Sequence, residues 1–193
     1  ASEDFASAVA EVVAGNGIKV CLCPSATPTP VISFGILAKR AGGAIIITAS
    51  HNPAIWNGFK YKSEFGSSAS TEVEAQIEKN VSHTLATGKI NSVPLAKALE
   101  QGLVEYLDLA PIYFNQLNSL IDLSELRQAR LKLVVDPMYG VGAGYFKTLL
   151  GGGAIKVVEI NSKRNPLFPG ILQPEPVAVN LAKLSATVKK QKA

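Results

Sequence analysis

Cysteine and histidine are scarce in this sequence, which argues against a metal centre built on thiolates and imidazoles. The 193 residues include two cysteines and two histidines, and His51 and His83 are distant from both cysteines in sequence. Two cysteines without nearby partners are too few for a zinc site. We therefore predict that Cys21 and Cys23, on the same face of a strand, are buried structural thiols in a reduced, cytoplasmic setting.

Long apolar runs are missing as well, and charge is sparse. No apolar run approaches the roughly 20 residues of a membrane span, and the chain starts with acidic residues where a signal peptide would be basic. The 19 basic and 15 acidic residues give a net charge of +4. This mild excess suits anionic ligands but is weak evidence for nucleic acid. We expect no nucleic acid and no membrane among the partners.

Hydrophobic residues make up 47% of the chain, and their spacing predicts an α/β protein. Helical spacing over residues 3–15 precedes a strand over 18–23, and a helix over 31–41 precedes a strand over 44–48. This order predicts a parallel pair of strands joined by a right-handed crossover. Residues 58–62 alternate as a short edge strand.

The rest of the chain predicts a second α/β unit of the same kind. We expect two α/β/α layered units with mostly parallel, mixed sheets, divided as residues 1–125 and 126–193. The remaining predicted segments of the first unit are a helix capped by Ser70 or Thr71 with His83 near its end, irregular chain over 87–101 and a helix over 103–120. A link over 121–130 leads to the second unit. Its predicted segments are a strand over 131–135, a helix ending at Leu150, a strand over 156–160 and a helix over 177–190.

The stretch from Thr48 to Lys60 carries the strongest functional signal. An apolar, β-branched strand ends at Thr48, and Asn52-Pro53 and Asn57-Gly58 favour turns after it. A hydroxyl, an imidazole and an ammonium group, those of Ser50, His51 and Lys60, thus follow the carboxyl end of a strand, where α/β proteins bind ligands. Phosphoryl or acyl transfer is the chemistry available there. The plainer alternative is a polar loop that happens to carry these residues.

Two familiar motifs are absent. A serine hydrolase would need Gly-x-Ser-x-Gly around its nucleophile, and Ala49 and His51 flank Ser50 instead. Residues 140–144 are spaced as Gly-x-Gly-x-Gly rather than Gly-x-Gly-x-x-Gly, and Asp136-Pro137 interrupts the turn from strand to helix. Both absences disfavour the corresponding functions.

The run Thr-Ala-Ser-His-Asn-Pro, followed by Asn-Gly-x-Lys, resembles the active-site loop of the α-D-phosphohexomutases, the phosphoglucomutase/phosphomannomutase family. The resemblance implies that Ser50 is carried as phosphoserine, that its phosphate helps to bind Mg²⁺, that Lys60 is the general acid/base and that His51 supports it. Lys62 would share a strand face with Lys60, so the choice between the two lysines rests on the resemblance. The proline-rich segments over 165–170 and 174–176 also resemble the family's second domain.

The resemblance covers most of the family's first domain and part of its second. The Asp-Gly-Asp-x-Asp-Arg metal loop, the sugar-specificity loop and the phosphate-binding last domain of the family have no counterpart in this sequence. We therefore expect incomplete α/β units, exposed sheet edges that invite dimerisation, and little activity from the chain alone.

The expected reaction of the whole protein interconverts hexose 1-phosphate and hexose 6-phosphate, of glucose or mannose, through a bisphosphorylated sugar. Phosphoglucosamine is the nearest rival substrate, and the serine loop does not separate the three sugars. The alternative from another class is a non-catalytic α/β module that binds a phosphorylated ligand or a partner protein.

Overall fold

The predicted α/β class is confirmed. The computed structural model describes residues 2–193, and in them eight helices alternate with six short strands. Packing divides these residues into two compact units: one contains the chain through Thr48 and Gly58–Ala110, and the other contains Ala49–Asn57 and Pro111–Ala193. The predicted division after residue 125 stays a prediction for the domains of the family. None of the helices in residues 2–193 is long and apolar enough to cross a membrane.

The first unit is built around small residues of its first helix. Ala10 and Ala14 of α1 pack against Ala98 and Val104, so that a helix, a short helix and a strand meet closely. The elements of this unit are α1 (Ser2–Gly15), β1 (Val20–Leu22), α2 (Thr29–Lys39), β2 (Gly43–Ile47), β3 (Phe59–Ser63), α3 (Thr71–Thr87), α4 (Leu95–Glu100) and β4 (Val104–Tyr106).

The predicted parallel pairing of β1 with β2 is wrong. β1 pairs in parallel with β4, in the register Val20↔Val104, and β2 pairs antiparallel with β3. Helix α1 packs against both β1 and β2. The two strands therefore share a covering helix, although each takes its hydrogen bonds from another partner.

Two predictions around β4 are also wrong. Residues 95–100 form α4 within the stretch expected to be irregular, and Val104–Tyr106 form β4 where a helix was expected to begin. Leu103 and Leu107 are spaced for a helix face, but Val104 is the residue buried in the core. The burial of Val104 beside β1 decides in favour of the strand, and the next helix starts at Ala110.

The prediction of buried cysteines holds only in part. Cys21 is exposed and Cys23 is half-buried, and both thiols are free. β1 ends at Leu22, so Cys23 lies beyond the strand. The Cys21 thiol donates a hydrogen bond to Glu105 Oε1 at 3.3 Å. Partial burial raises the pKa of both thiols, and Glu105 raises that of Cys21 further.

The second unit packs helices on a parallel pair of strands. Leu123, Leu150 and Ile155 form its core. The predicted link over 121–130 contains a helix instead, because the Asp122 carboxylate caps it by accepting from the backbone N–H of Ser124 and Glu125. The elements are α5 (Ala110–Leu120), α6 (Leu123–Gln128), β5 (Lys132–Val135), α7 (Tyr145–Leu150), β6 (Lys156–Glu159) and α8 (Ala178–Gln191), with β5 parallel to β6.

Candidate active site

The serine loop connects the two strands of a hairpin and closes at a narrow neck. β2 and β3 pair as far as Ile47↔Phe59, and the Thr48 N–H then donates to the Gly58 carbonyl at 2.9 Å. A Cβ added at Gly58 would lie 2.7 Å from the Thr48 carbonyl oxygen, so only glycine fits without movement. The neck therefore holds both ends of the loop Ala49–Asn57.

Ser50 has an unusual backbone conformation at the start of this loop. Its φ is 58°, in the left-handed region, and the side chain is exposed. The Asn52 N–H donates to the Ala49 carbonyl at 3.1 Å and closes a turn around Ser50 and His51. The left-handed conformation costs a residue with a Cβ roughly 1–2 kcal/mol. Strain of this kind is concentrated at functional sites, and here it falls on the predicted phosphate carrier.

His51 shares this turn and is also exposed. The structure thus brings together two of the three predicted catalytic side chains, a hydroxyl and an imidazole, on consecutive residues of one hydrogen-bonded turn. Both belong to the second compact unit, whereas Lys60 belongs to the first.

The two lysines of β3 differ in their surroundings. Lys60 pairs with Ile46 and Lys62 with Ala44, so both side chains lie on the same face of the hairpin. Lys62 is half-buried, and its Nζ donates to the Gly66 carbonyl at 3.3 Å, whereas Lys60 is exposed. Lys62 therefore anchors the segment after β3, and Lys60 is the lysine of this face that is accessible to a ligand.

The sequence segment that includes the hairpin carries cations and no carboxylate. Residues 12–63 contain no aspartate or glutamate, although the whole chain has 15 of them. A segment with cations and no carboxylates attracts anions. Charge counted by segment rather than over the whole chain would have revealed this feature from the sequence. The five cations of the segment are Lys19, Lys39, Arg40, Lys60 and Lys62.

The expected magnesium ion does not fit the described residues alone. Within residues 2–193, no group of three His, Cys, Asp or Glu side chains is placed to hold a metal ion. Mg²⁺ requires near-octahedral oxygen coordination and is usually bound through carboxylates together with phosphate and water. A phosphate on Ser50 would be one such ligand, and this part of the chain adds no carboxylate cluster to it.

Comparison with known proteins decides the family. The model of the phosphoglucomutase/phosphomannomutase α/β/α domain I matches residues 1–87, and the model of domain II matches residues 111–193. The chain belongs to the phosphoglucomutase/phosphomannomutase family. The second match begins at Pro111, where the long segment of the second compact unit also begins.

Individual family members agree with this assignment. A phosphoglucosamine/phosphogalactosamine mutase of Sulfurisphaera tokodaii is 27% identical over 84% of this chain and 34% of its own length. A phosphoglucomutase of Komagataeibacter xylinus is 26% identical over 82% of this chain and 30% of its own length. A crystal structure from Thermus thermophilus, assigned as a phosphomannomutase, has a TM-score of 0.78 and 34% identity over 96% of this chain and 40% of that one. The chain thus spans about a third of the length of these curated relatives.

The domain II part of this family member has its own polar cluster at the carboxyl ends of β5 and β6, which sequence reasoning missed. The Asp136 carboxylate accepts from the Met138 N–H and from Asn161 Nδ2, and Lys183 Nζ donates to Asn161 Oδ1 at 2.6 Å. Met138, Tyr139 and Asn161 all have positive φ. The cluster ties β5, β6 and α8 together through bonds between its own members.

The glycine-rich turn of domain II is closed to a nucleotide phosphate. The Gly144 N–H donates to Glu159 Oε1 at 3.0 Å, and Glu159 also pairs with Lys147 at 3.5 Å. The Glu159 side chain is 3% exposed. A buried carboxylate thus accepts a hydrogen bond from the backbone N–H at the start of α7.

Proposed function

We propose that this chain supplies the phosphoserine loop of a mutase that interconverts hexose 1-phosphate and hexose 6-phosphate. The observation that carries the proposal is Ser50 itself, exposed in a strained, hydrogen-bonded turn at the neck of the β2–β3 hairpin of a family member. Glucose and mannose phosphates are the proposed substrates. One relative is named a phosphoglucosamine/phosphogalactosamine mutase and another a phosphoglucomutase, so hexosamine phosphates are the nearest alternative substrates.

The proposed reaction moves one phosphoryl group in each direction. A hydroxyl oxygen of the sugar monophosphate attacks the phosphorus of phospho-Ser50, the bond from phosphorus to Ser50 Oγ breaks, and a sugar bisphosphate forms. Lys60 takes the proton of the attacking hydroxyl as general base and returns a proton as general acid in the second step, with His51 in support. The bisphosphate turns over, and its other phosphoryl group passes to Ser50. Positioning and electrostatics carry most of such a transfer.

We propose that the whole protein requires magnesium for activity. When bound, Mg²⁺ would neutralise charge on the phosphate of Ser50. We propose that its remaining ligands lie outside residues 2–193, and that the chain alone turns over little substrate for this reason. The cytoplasmic location and the pairing of copies through sheet edges stay predictions.

The direct test is mutase turnover. A full-length form that contains this chain should convert glucose 1-phosphate to glucose 6-phosphate with Mg²⁺, and Ser50→Ala should remove the activity. Ser82→Ala is the matched control, because Ser82 lies on the exposed face of α3 and donates only to the Glu78 carbonyl one turn earlier. Normal turnover by Ser50→Ala, or robust turnover by the 193-residue chain alone, would contradict the proposal.

A non-catalytic module that binds a phosphorylated ligand is the second candidate. One finding favours it: residues 2–193 lack a carboxylate cluster for the metal. The module would bind hexose phosphates but leave Ser50 unmodified in the presence of a sugar bisphosphate and Mg²⁺. Mapping of phosphate on Ser50 separates the two candidates.

A further inference from the structure

We propose that the Trp56 indole is the platform on which the ring of the phosphosugar rests beside Ser50. Trp56 is the only tryptophan of the sequence and lies in the same loop as Ser50 and His51. The inference rests on the proposed function, because it names a positioning residue for the sugar in that same site.

Trp56 has a hydrogen-bonded backbone and an exposed side chain. Its N–H donates to the Pro53 carbonyl at 3.0 Å, which closes a second turn directly after the turn that contains Ser50. The side chain is nevertheless 63% exposed, and that of the neighbouring Ile55 is 86% exposed. The free energy available from burying the largest apolar ring of the chain is thus not used to fold the loop. Fixed backbone and exposed ring together suit a ligand contact.

The residues of the loop indicate which ligand covers the ring. Ala49–Asn57 contains a hydroxyl, an imidazole and an indole and no carboxylate, so it suits an anion that carries an apolar face. A phosphosugar joins an anionic phosphate to a ring whose C–H faces are apolar. The phosphate suits the hydroxyl and imidazole of the first turn, and the C–H face suits the indole of the second turn. The indole N–H can also donate to a ring hydroxyl.

A flat platform also meets a particular demand of the reaction. The bisphosphorylated sugar must present first one and then the other of its phosphorylated carbons to Ser50. Contacts between an indole and a C–H face depend little on rotation within the plane of the ring, whereas hydrogen bonds are directional. Trp56 can therefore hold the sugar in both orientations without any change in the loop.

The lone tryptophan makes the inference directly measurable in the native chain. Glucose 1-phosphate should change the Trp56 fluorescence in a saturable way, whereas inorganic phosphate and glycerol 3-phosphate, which lack the ring, should leave it nearly unchanged. An equal response to all three anions would contradict the platform. So would a chain that binds no hexose phosphate up to tens of millimolar, because the platform and the cations lie within it.

Three variants distinguish the contribution of the aromatic ring to sugar binding from that of side-chain size, and calorimetry measures the binding. Trp56→Ala should weaken glucose 1-phosphate binding about tenfold, the upper end of what an aromatic contact contributes. Trp56→Phe, which keeps a ring, should stay within about threefold of native, and Ile55→Ala, at the more exposed neighbour, should bind as the native chain does. Affinity for inorganic phosphate should be the same in all four proteins. Native sugar affinity in Trp56→Ala, or an equal loss in Ile55→Ala, overturns the inference.

The outcomes distinguish this inference from the proposed function. If Ser50 accepts a phosphoryl group from a sugar bisphosphate but Trp56→Ala binds sugar normally, the platform is wrong and the phosphoserine stands. If Trp56→Ala loses sugar affinity while Ser50 is never modified, the platform stands in a binding module and the mutase proposal fails.

Discussion

At the scale of single residues, Ser50 places an exposed hydroxyl on a backbone conformation that is costly for any residue with a Cβ. Its φ of 58° lies in the turn that Asn52 closes onto Ala49. The sequence predicted a loop and a serine at its start, because Asn52-Pro53 and the apolar strand before it are local signals. The left-handed φ of Ser50 could not be predicted, since nothing about a serine favours it; the turn and the neck of the hairpin impose it.

Two substitutions at Ser50 should separate strain from chemistry. Ser50→Gly and Ser50→Ala both remove the hydroxyl, so neither should accept a phosphoryl group. Glycine relieves the left-handed strain and alanine keeps it, so we expect Ser50→Gly to be more stable than Ser50→Ala by about 1 kcal/mol. Urea unfolding of both variants measures the difference. Equal stability of the two would show that the turn does not impose this conformation in solution.

Lys60 and Lys62 share a strand face, but we expect their replacement by alanine to have opposite effects on the transfer rate and on stability. Lys60→Ala should leave the free energy of unfolding unchanged and reduce phosphoryl transfer in a full-length form by about 10²–10⁴-fold, the range for a lost general acid or base. Lys62→Ala should keep most of the transfer rate and lose about 1 kcal/mol of stability, because its bond to the Gly66 carbonyl is removed. Rate assays and urea unfolding of both variants decide. A larger loss of rate in Lys62→Ala would exchange the two roles.

At the scale of elements, the β2–β3 hairpin supports the site, and its neck depends on one glycine. Gly58→Ala would place a Cβ 2.7 Å from the Thr48 carbonyl oxygen, so we expect a loss of about 1–3 kcal/mol and faster hydrogen exchange of the Thr48 N–H. Gly42→Ala is the matched control before the same hairpin, since its added Cβ would meet nothing within 4 Å. Slow exchange at Thr48 in Gly58→Ala would mean that the neck tolerates the methyl group.

The elements also show where sequence reasoning succeeds and where it fails. The short strand after Asn57-Gly58 and a cap of α3 at Ser70 or Thr71 were predicted, because these residues are local signals, and Ser70 does accept from the Val73 N–H. The partner of β1 was not predicted, because it lies far along the chain, at Val104–Tyr106, and is three residues long. Because the strand is so short, the spacing of Leu103 and Leu107 on either side of it fits a helix as well as a strand. Only the burial of Val104 against β1 shows that the segment is a strand.

At the scale of the whole molecule, the chain is two compact α/β units, and the serine loop and Lys60 belong to different units. This division follows from packing and not from any composition shift, so the sequence could not show it. The pairs β1–β4, β2–β3 and β5–β6 are each a two-stranded sheet, and each leaves unpaired edges of the kind that invite association. Pairing of copies through these edges stays a prediction.

Site-mapped mass spectrometry shows whether Ser50 carries the phosphoryl group. A full-length form incubated with glucose 1,6-bisphosphate and Mg²⁺ should gain one phosphoryl mass increment, located on Ser50, and should still carry it after turnover of glucose 1-phosphate, because the second transfer returns a phosphoryl group to Ser50. Ser50→Ala should gain none, and Ser82→Ala should behave as the native protein. A native protein that stays unmodified, or a phosphate located on another residue, would contradict the account and favour the binding module.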